Sequence, residues 1–134
     1  MLAFLSIRNI VLIDKLDVTF ERGMTVLTGE TGAGKSILLD ALNLALGERA
    51  QVSLIRPGES HATVIAEFDV GADEGIKNTL EEAGLDFEDR LVLRRSLSRD
   101  GKSRAFINDQ PVSLALLGDL SSRLREIHGQ FDKL

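Results

Sequence analysis

Three glycines, a lysine and a serine carry the chemistry that is easiest to read in this chain. They lie in Gly29-Glu30-Thr31-Gly32-Ala33-Gly34-Lys35-Ser36, which matches G-x-x-x-x-G-K-[ST]. Gly29, Gly32 and Gly34 permit backbone conformations closed to other residues, so that successive N–H groups can curl around a phosphate. Lys35 brings a point charge to β- and γ-phosphates, and the Ser36 hydroxyl is a ligand for Mg2+. The flanks agree with the letters. Met24 to Thr28 is a short β-prone stretch, and Ile37 to Leu46 is a good helix former without Gly or Pro. A helix opening near Lys35 would point its first amides and its dipole at the same anion. A glycine-rich turn before an ordinary helix is the alternative, and the strand-loop-helix context favours a nucleotide site.

A loop of this kind needs a second carboxylate, usually after an apolar run, to complete Mg2+ binding and orient water. Val64-Ile65-Ala66-Glu67-Phe68-Asp69 alternates, which makes Asp69 a residue of a half-exposed strand. Val11-Leu12-Ile13-Asp14 precedes the loop and reads as a turn, and Asp132 follows no apolar run. Together with the end at Phe131-Asp132-Lys133-Leu134, this points to an incomplete hydrolytic site. His61 and His128 lack metal-ligand spacing, and Asp40 and Asn43 face the sheet or solvent.

The elements that must position the loop follow from periodicity. Residues 2–8 read as a strand, 9–13 continue apolar, and Leu16 to Phe20 alternates with period two. Glu21-Arg22-Gly23 is a turn. In the helix after the loop, Ser36, Asp40, Asn43 and Gly47 form a single polar stripe on an otherwise apolar cylinder, with Gly47 as its cap. Such a helix belongs between a sheet and another layer. Gln51 to Ser60 is a loop, Thr63 to Val70 a strand, and Asp73 to Ala83 a short acidic helix. Arg90 to Leu97 and Ser103 to Asn108 form a hairpin about Asp100-Gly101. Asp109-Gln110-Pro111 is a turn, a helix runs from Ser113 to about Leu120, and Arg123 to His128 is expected as a last strand. The order is βββ–loop–α–loop–β–α–ββ–α–β, an α/β chain whose second part is an α+β lobe.

Composition sets the class. The 134 residues are one domain's worth, 43% hydrophobic and 28% charged, as in a soluble globular protein. The absence of cysteine excludes a disulfide framework and fits a reducing cytosol. No apolar run approaches the roughly 18 residues of a membrane helix, and Met1-Leu2-Ala3-Phe4 lacks the basic start of a signal peptide. The net charge of −5 hides a segregation: Asp73 to Asp89 holds seven acids and one lysine, Arg90 to Arg104 six basic residues and one acid. Arg94, Arg95, Arg99, Lys102 and Arg104 are therefore candidate contacts to DNA phosphates, against the alternative of a solvated hairpin that resists edge pairing or pairs with the acidic helix.

Several segments resemble one family. Ile7-Arg8-Asn9-Ile10, Val18-Thr19-Phe20 and the Gly23 that leads to the loop strand resemble the amino-terminal opening of the structural-maintenance-of-chromosomes (SMC) class of ABC-type ATPases. Thr28 to Ile37, Asp40-Ala41-Leu42, Leu46-Gly47-Glu48-Arg49-Ala50 and Ile127-His128-Gly129-Gln130 are most similar to the RecN family of bacterial DNA-repair ATPases. The hairpin Gly101-Lys102-Ser103-Arg104-Ala105-Phe106-Ile107-Asn108 is similar to a segment shared with RecF-like and chromosome-maintenance heads.

The resemblance covers essentially the whole chain and implies a P-loop NTPase of ABC/SMC type. Residues 1–134 would be the amino-terminal head lobe, with an antiparallel β subdomain and a glutamine loop at about 128–132. It also implies ATP and Mg2+ as cofactors, with Ile37 and the loop residues Gly29 to Ser36 around the nucleotide. Gln130 would contact Mg2+ and the attacking water. Arg56, or Arg49 in its place, would approach the nucleotide. A carboxy-terminal lobe beyond a coiled coil, a second head across sandwiched ATP, and DNA are the implied partners, in the bacterial cytosol. The lobe alone would bind nucleotide weakly and turn over almost none. A RecF-like or other SMC head stays open, as do a self-contained P-loop kinase or GTPase and a nucleotide-free interaction module.

Overall fold

The computed structural model describes residues 2–20, 32–71, 73–85 and 89–128, with the side chains of 32–35, 127 and 128 left aside. The expected loop strand at 24–28, Gly29, Glu30, Thr31 and Gln130 lie outside these residues.

The chain opens with β1 (Leu2–Ile10) and β2 (Ile13–Thr19), then α1 (Gly32–Ala45) and β3 (His61–Asp69). It continues through α2 (Glu74–Glu82), β4 (Arg90–Ser98), β5 (Ser103–Ile107), β6 (Gln110–Val112) and α3 (Leu114–His128). The strands form one antiparallel sheet in the order β2-β1-β3-β4-β5-β6. Period-two alternation sorts its faces. Leu5 and Ile7, Ala62 to Phe68 at every second position, Leu91, Leu93 and Leu97, then Ala105 and Ile107 are buried on one face. That face meets α1 through Leu38, Ala41, Leu42 and Ala45, and α3 through Leu117, Leu120 and Leu124. α2 adds Ile76 and Leu80 against α3. The opposite face carries Arg8, Thr63, Glu67, Arg94, Ser96 and Arg104, all at least partly exposed.

α1 matches its sequence pattern. Ser36 and Asp40 are exposed, Asn43 and Gly47 half-buried, and the apolar remainder packs inward. Gly47 stands at φ +102, the left-handed conformation of a helix terminator.

Two expectations fail at the carboxy-terminal end. Arg123 to His128 is not a strand; α3 runs without a break from Leu114 to His128. Leu117, Leu120 and Leu124 recur at helical spacing and put one stripe against the sheet, so burial continues the helix. Ser113 caps it, its Oγ accepting from the N–H of Leu116 at 3.1 Å. The turn expected at 109–111 falls one position earlier. Asn108 and Asp109 both adopt positive φ, 48 and 67, as a two-residue hairpin turn requires, and Gln110 to Val112 pairs as β6.

Candidate nucleotide site

α1 is helical from Gly32, so the second half of the phosphate-loop pattern (Gly32, Ala33, Gly34, Lys35, Ser36) forms its first turns. Four backbone N–H groups at a helix start lack intrahelical acceptors and carry about half a positive charge between them. An anion set there is matched by donors and dipole together. Ser36 is exposed on this end, its hydroxyl accessible to a cation held by the same phosphates, whereas Ile37 is half-buried against the core. These positions suit a magnesium-bound nucleotide: the amides of a helix start, an exposed serine, and a helix axis fixed by its buried faces.

Arg56 is positioned from below by a clip between two segments. The N–H of Val11 donates to Leu54 O and that of Arg56 to Asn9 O, both at 2.8 Å, with Ile10 bridged to Ile55. The clip holds Val11 at φ 51, a strained value for a β-branched residue. The half-exposed Arg56 guanidinium faces Asp14 at 3.5 Å and Glu59 at 3.9 Å. Arg49 is exposed and lines an open groove of about 350 Å³ with Asp40, Asn43, Glu48 and Gln51.

The five basic hairpin residues separate into different environments. Lys102 and Arg104 are exposed and line a polar recess of about 350 Å³ with His61, Ser96, Ser98 and Asp100. The Asp100 carboxylate sits below the usual range, chiefly through the Ser98 hydroxyl and then the Lys102 N–H. Arg94 lies over the Phe106 ring, 4.1 Å from its centroid. Arg99 donates to Glu59 O at 2.9 Å and Arg56 O at 3.0 Å, tying the hairpin tip to the Arg56 loop. Arg95 is the correction. It is 1% exposed and faces the core with Leu91, Leu93 and Leu97, so it is not available to a phosphate on the surface. Its Nη1 donates to Leu44 O at 3.0 Å and Glu48 O at 2.9 Å, and its Nη2 to Ser103 Oγ at 3.0 Å. The period-two alternation of β4 already placed Arg95 in phase with the leucines; its basic type concealed that.

Sequence reasoning also missed the ties to α3. Arg123 grips Asp73 through Nη2 at 3.1 Å and Nε at 3.2 Å, while Asp73 caps α2 by accepting from Ile76 N–H at 2.9 Å. Ser121 Oγ donates to Leu46 O, and Arg125 meets Glu48 at 3.6 Å. Asp-x-x-Ile at the start of α2 was a readable cap; its partner fifty residues on was not.

With this geometry in place, a family model described as "AAA domain" matches residues 5–132. The chain belongs to that family. This AAA domain is 44% identical over 133 residues to the DNA repair protein RecN of Bacillus subtilis, covering 98% of this chain and 23% of the relative. It thus spans about a quarter of the length of the curated relatives it matches. Among solved structures, it resembles one described for ATP-driven dimerization and DNA-stimulated activation of SMC ATPases. The TM-score is 0.71 at 23% identity, over 90% of this chain and 77% of that one. The recombination mediator protein RecF of the RecFOR pathway superposes with a TM-score of 0.67 at 18% identity, over 87% of this chain and 29% of that one. These likenesses establish the fold: the lobe has the architecture of SMC and RecF proteins, with the sequence character of RecN.

Proposed function

We propose that this AAA domain is the nucleotide-binding lobe of a RecN-like DNA-repair ATPase head. The observation that carries the reading is a helix opening inside the phosphate-loop pattern, in a lobe similar in sequence to RecN over nearly its whole length. In this reading, loop and helix amides hold the phosphate oxygens and Lys35 neutralises their charge. Ser36 and Gln130 ligate Mg2+, and Gln130 also places the attacking water. Magnesium, when bound, supplies charge stabilisation on the transferred phosphoryl group. In the same reading, a carboxy-terminal lobe and a second head would complete the site. Head engagement and release would then follow nucleotide binding and hydrolysis in the bacterial cytosol, coupled to DNA held by Arg94, Lys102 and Arg104. Arg56 is proposed to approach the nucleotide from the loop that Arg99 braces.

A titration of the 134-residue lobe with Mg·ATP tests the site. Weak saturable binding that Lys35→Ala reduces at least tenfold is expected, with essentially no turnover. Hydrolysis by the lobe alone, lost in Lys35→Ala, would overturn the divided-site account.

A further inference from the structure

Among the described residues the buried polar side chains are Ser6, Arg95 and Ser121. Two of the three serve one place. Arg95 donates to Leu44 O and Glu48 O, and Ser121 donates to Leu46 O, all in the last turn of α1 and just beyond it. Arg95 reaches this turn from β4, near the middle of the sheet, and Ser121 from α3. The cross-strand neighbours of Arg95 are Val64 and Ala105, small enough to leave its guanidinium a path to the helix.

A buried guanidinium is costly, and burial alone works against its charge here. No carboxylate pairs with it among the described residues; its partners are carbonyl oxygens and a hydroxyl. A cation is favoured at that position because the carbonyl end of a helix is negative. Methionine would fill the space without the electrostatic cost, and fixed geometry is what arginine adds. The Arg95 Nη1 is shared between Leu44 O in the last turn and Glu48 O just past Gly47, with Ser121 on Leu46 O between them. These three points tie the carboxyl end of α1 to β4 and α3 and so restrain both its rotation and its slide along the sheet.

We propose that Arg95, seconded by Ser121, is a positioning residue for nucleotide binding: by clasping the carboxyl end of α1 it sets where the amino end presents its amides, Lys35 and Ser36. The inference rests on the reading of α1 as the phosphate-binding helix. α1 rises about 20 Å along its axis and is packed as a rigid rod, so a small rotation or slide at one end reappears at the other. Misplacement of phosphate donors by a few tenths of an ångström weakens charge-assisted hydrogen bonds without unfolding anything.

The test uses the full-length protein that carries this lobe, titrated with Mg·ATP by calorimetry and observed by 31P NMR of bound ATP. Arg95→Met should weaken Mg·ATP about tenfold and move the β-phosphate resonance, and Arg95→Lys should recover part of both. A clasp with a merely structural role would lower the melting temperature of the nucleotide-free protein while leaving affinity and resonance unchanged; that result overturns the proposal. If Arg95→Met does not fold, Ser121→Ala is read the same way: about threefold weaker binding is expected, and unchanged affinity overturns the proposal. Lys35→Ala runs alongside. If it binds Mg·ATP as the parent does, the reading of α1 itself falls, and this inference with it; if only the Arg95 and Ser121 variants bind normally, the inference alone is wrong.

Discussion

At the scale of the residue, the pair Asp73–Arg123 joins three functions in one carboxylate. It caps α2, bonds α3 fifty residues further along the chain, and carries a charge whose pKa is lowered, first by the Arg123 hydrogen bond and then by the Ile76 N–H. Gly75 makes the contact possible, since a Cβ there would lie 2.6 Å from Arg123 Nε. A carboxyl whose folded pKa is depressed stabilises the fold fully above its unfolded value of about 4 and loses that contribution as pH falls through the lower folded value. Asp17, held down chiefly by Arg8, and Asp100 follow the same sign. Melting temperature should therefore decline below about pH 4, and Asp73→Asn should flatten that decline. Asp73→Ala should cost about 1 kcal/mol at neutral pH through the lost cap alone, read from urea unfolding.

At the scale of the element, α1 was legible but only the first half of α3 was, for a physical reason. The α1 pattern is long, strongly apolar and closed by Gly47, so local preference and burial agree. In α3 the stretch from Ser121 to Glu126 mixes serines and charges with one buried leucine, Leu124. Only the contact of Leu117, Leu120 and Leu124 with the sheet selects helix over strand. Arg95 teaches the converse, because its place in the alternation was written in β4 while its partners, carbonyls of another element, leave no trace in sequence. The phosphate-loop pattern is written in the sequence, whereas the bonds from Arg95 to the Leu44 and Glu48 carbonyls appear only in the fold. Gly47→Ala provides a check at this scale. Its methyl would stand in left-handed backbone and 3.4 Å from Leu117 Cγ, so a loss of about 1–2 kcal/mol is expected in urea unfolding.

At the scale of the whole molecule, sheet pleating sorts the basic residues of the hairpin between the two faces. Arg104 shares the exposed face with Arg94, and Lys102 joins it at the hairpin end, while Arg95 of the same segment is turned inward. Lys102→Glu with Arg104→Glu, in the full-length protein, should weaken DNA binding and reduce the slope of log affinity against log salt by about 2. An unchanged slope would remove this face from the DNA account. The sheet order has a further consequence, for the time course of folding. Among the described strands every neighbouring pair is consecutive except β1 and β3, and the segment between them, about fifty residues, contains the phosphate-loop pattern and α1. The hairpins on either side can form early and locally, but this pairing must wait for a long chain segment to be closed. Nascent chains would thus acquire their hairpins first, and competence to grip a nucleotide would arrive with the last and slowest union of the sheet.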